Sequence, residues 1–337
     1  MSPRNETSRL TAISATLLAV SLAALTLALY LLARPAELPR LSIAVSRTPL
    51  SAPIYIAATQ GYFRDQGVDI ELREVIGGLR SFADMAAGQA DLATSSESVV
   101  MFRSFEHKNF SVLASFVSSD NDIKLIATSE GRLRTPFDLA GSRVAVTAHS
   151  SSEYFLHSVA LMHGIDTRTL QIIETQPENM TRQLLDESTV EALSVWEPYS
   201  YEVMQALGEK AVLLPTKGLH STSFNLLALN STIEAQPQVL LATLKALDQA
   251  ADFIQRDPVG AKQIIRRQLA LEPGFVEWVW PDYNFRLGLG QSLLTSLDSA
   301  ARWAISTGAV APQPLPDFRP LLDNRFLRQM TPQPHRL

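Results

Sequence analysis

The chain contains no cysteine among its 337 residues. That absence excludes a disulfide framework, thiolate metal sites, a cysteine nucleophile and a lipid anchor on cysteine. It also lacks a Walker sequence, a nucleophile elbow and a zinc-protease motif, so the chain itself should not hydrolyse ATP. Basic clusters are missing too. With a net charge of -5 and no local concentration of Lys and Arg, it carries no footprint for nucleic acid. Low-complexity segments and long repeat arrays are absent. Three histidines, His149, His157 and His163, lie close in sequence, but His157 and His163 stand six apart on one predicted helix and do not share a face. No metal and no cofactor is therefore expected. What remains is a chain with 46% hydrophobic and 19% charged residues, a balance that supports a packed core. Its length allows two or three compact units.

Residues 1–9 form a short tail with Arg4 and Arg9, and no charged residue occurs from Leu10 to Ala33. A helix of that length spans about 36 Å, enough to cross a bilayer. Bulky Tyr30, Leu31 and Leu32 followed at once by Arg34 and Pro35 favour an uncleaved anchor over a cleaved signal peptide, although Ala24 and Ala28 leave room for cleavage. The flanking charges, Arg34 and Arg40 against Arg4 and Arg9, do not fix an orientation. Residues 34–40 read as a linker.

Beyond the linker, apolar strands alternate with helices. Leu41 to Ser46 is a predicted strand, followed by a helix beginning near Pro53 and running to about Arg64. A strand over Val68 to Val75 turns at Gly77-Gly78 into a helix to about Ala87. A third strand, Ala90 to Thr94, leads to a helix over Glu97 to Phe105. Phe110 to Val117 and Ile123 to Thr128 are strands around the polar turn 118–122. A second set follows: strands Arg143 to Thr147, Leu170 to Glu174 and Val190 to Val195, with helices Ser151 to His163, Met180 to Leu185 and Pro198 to Leu207. Ala211 to Leu214 and Phe224 to Leu229 lead back. From Pro237 onward the spacing is helical, with further helices over Gly260 to Leu269 and Gly290 to Ser306. This is an α/β pattern with parallel sheets. A faint repeat joins the halves: 88–93 and 188–193 each link a helix to a short strand, and each is followed by a Glu opening a helix, Glu97 or Glu197.

Helix N-termini gathered at the carboxyl ends of parallel strands are where small ligands bind. Trp196, Glu197 and Tyr199 occupy such an end. Trp can stack on a flat or alkyl ligand or pack in a hinge, and Glu197 can accept from an amine or start the helix behind it. Ser95, Ser96, Ser151 and Ser152 offer hydroxyls and amides at two further helix starts. Gly77-Gly78 could let backbone approach a ligand. Glu97 and Glu153 each fit a capping box, in which the carboxylate serves a backbone amide. Asp120 and Asp122 sit in the crossover turn. An anionic solute would need Arg47 or Arg80, whereas Glu97, Glu153 and Glu197 together suit an amine or protonated heterocycle.

Several segments carry a family likeness: Ala52-Pro53-Ile54-Tyr55, Gly61-Tyr62-Phe63, Gly67-Val68, Gly88-Gln89-Ala90-Asp91 and Trp196-Glu197-Pro198-Tyr199. With these in order, the chain from residue 41 onward resembles the substrate-binding proteins of ABC importers for nitrate, sulfonates, taurine and thiamine pyrimidine precursors. The resemblance implies a type II periplasmic-binding fold: a first lobe from 41–126 and 221–337, a second lobe inserted over 127–220, and a ligand cleft between them. Thr48 and Ser51 then join the site, because they lie between the first strand and helix, where that family contacts solute. It further implies capture of a nitrogen-containing, zwitterionic or sulfonate-like solute, an ABC permease as partner, and a place on the outer side of a bacterial cytoplasmic membrane, tethered or released to the periplasm. Two rivals remain, an enzyme of the same fold acting on a thiamine pyrimidine or menaquinone precursor, and a membrane-anchored sensor module.

Overall fold

The computed structural model describes residues 37–185 and 189–330. The apolar run 10–33 lies outside the described residues, and among them no helix is long and apolar enough to cross a membrane.

Strand β1 (Arg40–Ser46) is buried from Ile43 to Ser46. Both of its faces are covered, which is why it reads as an apolar run rather than an alternation. It lies parallel to β2 (Asp69–Val75) and β3 (Leu92–Ser96). Between β1 and β2 the single expected helix is two, α1 (Ala52–Thr59) and α2 (Tyr62–Asp65), because Gly61 sits at φ 80°, a left-handed conformation that glycine adopts without steric cost and that ends a helix. Helices α3 (Gly78–Ala86) and α4 (Glu97–Glu106) follow β2 and β3.

The chain then runs through β4 (Phe110–Ser119) and crosses to a second sheet by way of β5 (Ile123–Thr128). There it forms β6 (Arg143–Val146), α5 (Ser151–Met162), β7 (Gln171–Glu174), α6 (Met180–Leu185), β8 (Ala192–Trp196), α7 (Tyr199–Leu207) and β9 (Ala211–Leu213). Strand β10 (Thr222–Leu229) carries it back. The remainder is mostly helical: α8 (Asn230–Ala235), α9 (Pro237–Arg256), α10 (Pro258–Leu269), α11 (Pro273–Val279), α12 (Gln291–Thr307) and α13 (Arg325–Met330), with one further strand, β11 (Tyr283–Gly288). Nothing in the sequence had pointed to α11 or β11; β11 is an edge strand antiparallel to β4.

The six-stranded sheet has the order β11-β4-β10-β3-β1-β2 and the five-stranded sheet β7-β6-β8-β5-β9. Each receives one antiparallel strand from a crossover, β10 beside β3 and β5 beside β8. The repeat in the sequence has a shared structural cause. Asp91 accepts from the Ser42 amide at 2.7 Å, and Glu191 accepts from the Arg143 amide at 3.0 Å, so in both sheets an acid just before the third parallel strand ties it to the first. Apolar cores cover both faces of each sheet. The larger one packs Ile43, Tyr55, Phe116 and Leu244 on one side and Phe82, Met101, Phe110 and Phe318 on the other. The smaller packs Leu125, Val146 and Phe155 against one face and Ile126, Met180 and Val203 against the other.

Candidate functional site

Strands β1, β2 and β3 end at Ser46, Val75 and Ser96, and a helical turn starts within a few residues of each, so unpaired backbone N–H groups collect at that end of the larger sheet. Thr48 uses its hydroxyl to accept from the Leu50 amide. Ser51 is fully buried and its hydroxyl has no partner. Gly78 suits a close approach, since a Cβ there would lie 3.0 Å from both Cα and Oγ of Ser95. Ser95 in turn donates to the Gly78 carbonyl at 2.5 Å. Ser96 precedes α4 and shares a 2.9 Å hydrogen bond with Ser98.

In the smaller sheet, Ser150 caps α5 and Ser151 is its half-buried first residue. Ser152 is occupied internally: its hydroxyl donates to the Ser194 carbonyl at 2.8 Å and accepts from the Thr147 amide at 3.1 Å. Glu153 also serves a backbone amide, but that of His149, one residue before the Ser150 cap, at 2.8 Å, so the expected capping box is not closed. Trp196 closes β8 half-buried against the core around Leu125, with the Tyr199 ring edge-on at 6.3 Å.

Glu197 is buried, and its carboxylate is taken up by three donors. Its Oε1 accepts from Lys124 Nζ at 2.6 Å and from the Trp278 indole at 2.7 Å, and its Oε2 accepts from the Tyr201 amide at 3.1 Å. Lys124 also donates to the Asn121 carbonyl and stands over the Trp278 ring. Beside this pair, the Tyr283 hydroxyl donates to Asp122 at 2.9 Å. Burial, and then the charge of Glu197, push the Asp122 carboxyl up to about 7, against the opposing pull of Lys124.

Glu97 does not form the expected capping box. Ser96 is the N-cap, which leaves Glu97 in the first turn, where its carboxylate reaches across to β10 and accepts from the Ser223 amide at 2.7 Å. Its Oε1 lies 3.5 Å from His220 Nε2, and neither atom has a hydrogen-bond partner. His220, in the returning crossover, packs against Tyr154 of α5 at 5.4 Å between ring centres. Burial, and to a lesser degree Glu97, raise the Tyr154 hydroxyl.

Two flanks join the sheets. On one, Tyr154 and His157 of α5 meet Trp303 of α12, and His149 meets Phe102 of α4. On the other, Glu197 and Tyr201 meet Trp278 and Phe275 of α11. The cations nearest the strand ends are engaged: Arg47 with Glu74 at 3.5 Å and the Leu269 carbonyl, Arg80 with Asp84 at 2.8 Å. Among the described residues no group of three or more His, Asp or Glu is arranged to hold a metal ion. A surface cavity of about 760 Å³ lies elsewhere, against α9 and β11, lined by Asp248, Asp252, Trp280 and Arg286.

Sequence reasoning missed Lys124, His220, Trp278 and Trp303. A readable signal existed for the first: a lysine inside the apolar strand IKLIAT has to be buried with a partner. His220 and Trp303 gave none, since their neighbours in space are remote in the chain.

A family model described as NMT1/THI5 like matches residues 48–261. No curated protein matches the sequence. Among solved structures, the chain is similar to the alkanesulfonate-binding protein SsuA from Xanthomonas axonopodis pv. citri bound to MOPS, at 20% identity over 86% of this chain and 100% of that one, with a TM-score of 0.70. It is similar to the periplasmic aliphatic sulphonate binding protein SsuA from Escherichia coli at 16% identity, over 84% and 96% of the two chains, with a TM-score of 0.74. It also resembles the desulfurization enzyme DszB at 13% identity, over 86% and 98%, with a TM-score of 0.62. These likenesses show a periplasmic-binding-protein fold.

Proposed function

Given that this chain belongs to the NMT1/THI5-like family, we propose that it is the extracytoplasmic solute-binding component of an ABC importer. It takes a small organic solute between two lobes, 127–220 inserted between 41–126 and 221–337, and presents the closed form to a permease. The run 10–33 either holds it at the outer face of the cytoplasmic membrane or directs its release to the periplasm. One observation carries the reading: in each of two α/β sheets, joined by two crossovers, helices begin where the parallel strands end, and at those ends Glu197 reaches Trp278 and His149 reaches Phe102 from one half to the other. A solute touching both sides stabilises the closed arrangement by its differential affinity and so shifts an open population toward it. Native mass spectrometry of the purified full chain tests this: a retained small molecule, recovered unchanged after unfolding, is the expected result.

An enzyme of this fold is the second reading, favoured by the likeness to DszB. Chemical turnover of the recovered molecule on prolonged incubation would decide for it.

A further inference from the structure

The cavity of about 760 Å³ between α9 and β11 lies at an outer edge of the larger sheet. Strand β11 ends that sheet's strand order, so among the described residues no strand pairs with its far side. Its Phe285 carbonyl accepts at 3.2 Å from the side-chain amide of Gln255, an exposed residue of α9 that lines the same cavity. An open strand edge with a helix beside it is a groove of the kind that takes an extended segment as a further strand.

The groove carries charges that nothing answers. Asp248 and Asp252 stand one turn apart on α9, both exposed and both lining the cavity, and among the described residues neither has an ion-pair partner. Arg256, one turn further on, donates to the Asp252 backbone carbonyl at 3.3 Å rather than to a carboxylate. Partial burial, and then the charge of Asp252, raise the Asp248 carboxyl, as expected of like charges with no cation between them. Side chains four apart on a helix have Cβ atoms about 5 to 6 Å apart. Side chains two apart on an extended strand share a face at about 6.6 Å. Two basic residues at i and i+2 of a strand laid in the groove therefore match the two carboxylates. Arg286 also lines the cavity without an ion-pair partner, which disfavours a uniformly basic segment. The edge is regular over a short stretch only, 283–285, because the pairing with β4 shifts register between Phe285 and Gly288. Such an interruption, with a charged residue inside it, blocks open-ended sheet growth and selects a short occupant.

We propose that the groove between α9 and β11 is a docking site for a short extended segment of a partner protein that carries two basic side chains on one face, in the pattern Lys-x-Lys. The segment pairs with β11 through its backbone, displaces the Gln255 amide, and sets its two ammonium groups on Asp248 and Asp252. This surface goes beyond the receptor reading and is tested without reference to any solute.

The test uses the full chain and an end-blocked, fluorescein-labelled peptide, Val-Lys-Val-Lys-Val, read by fluorescence anisotropy. This peptide should bind saturably, and its counterpart Val-Glu-Val-Glu-Val about tenfold or more weakly. Asp248→Asn combined with Asp252→Asn should weaken the lysine peptide about tenfold or more, since it removes both charge-assisted contacts. That variant should melt no lower than the parent, because like charges at this spacing repel. Successive amides of a strand point to opposite edges, so methylating the lysine amides and methylating the valine amides probe opposite edges of the peptide. One of the two should abolish binding and the other should spare it. Binding that survives both methylations, or that spermidine displaces at the peptide's own concentration, would reveal a site for cations rather than for a strand and overturn the proposal. Indifference to the double variant overturns it too, as does a lysine peptide that fails to bind.

Discussion

Lys124 and Glu197 touch at 2.6 Å with side chains only 1% exposed, so removing either charge strands the other in a medium that solvates it poorly. Lys124→Met should therefore cost about 3 to 5 kcal/mol of stability in urea denaturation, while Lys124→Met combined with Glu197→Gln should recover most of that loss. An equal or larger loss in the double variant would mean that the hydrogen bonds to Trp278 and Tyr201, not the charge pair, hold this corner. Asp122, next to it, makes a different kind of prediction. Its carboxyl titrates at about 7 in the folded chain against an ordinary 3.8. Between those values the unfolded chain has released the proton that the folded chain still holds, so stability falls as pH rises from about 4 to about 7. Asp122→Asn keeps an acceptor for Tyr283 but does not ionise. Its melting temperature should lie above that of the parent at pH 7.5, the two should converge toward pH 4, and the curve should be flatter between them.

The helix α3 lies so close to the end of β3 that a Cβ at position 78 would meet the Ser95 Cα and Oγ at 3.0 Å and the Ser96 nitrogen at 3.3 Å, so the end of β3 has to give by a few tenths of an ångström to admit it. Gly78→Ala should cost about 1 to 3 kcal/mol by overpacking, read in the same denaturation experiment; an unchanged midpoint would show that α3 can slide. At this scale much was legible in advance. The alternation of apolar strands with helices over 41–128 and 143–229 announced both sheets, because buried parallel strands have to be apolar and turns between them have to be polar. Boundaries slipped where backbone pairing begins before or after the apolar run, as at β3, which starts at Leu92 rather than Ala90. Elements α11 and β11 were invisible because Pro273, Gly274 and Pro281 interrupt any period, and β11 exists only by pairing with β4, more than a hundred residues earlier. The same distance rule governs the site. The serines at the strand ends could be named from local pattern. That Ser152 is bound to Ser194, Glu197 to Lys124 and Glu97 to Ser223 depends on partners 42, 73 and 126 residues away, which no local pattern encodes.

The two flanks that join the sheets are unequal, and on the proposed receptor reading the inequality says which should part to admit a solute. The flank through α5 and α12 is made of ring contacts, Tyr154 and His157 on Trp303 and His149 on Phe102, between side chains that are at most half-buried or exposed. Each such contact contributes about 0.5 to 1.5 kcal/mol beyond its area. What crosses the flank through α7 and α11 is the Trp278 indole hydrogen bond to the buried Glu197 carboxylate, about 1.5 to 3 kcal/mol as a bond to a charged group, together with the Tyr201 ring on Phe275 and Trp278. Opening should therefore pivot on Trp278 and gape at Trp303. Trp303→Ala, measured without solute, should shift the chain toward the open form and enlarge its radius of gyration in small-angle scattering. Trp278→Phe should lower stability and leave the radius unchanged. The reverse pattern, a larger radius from Trp278→Phe and none from Trp303→Ala, would place the pivot on the α5 side.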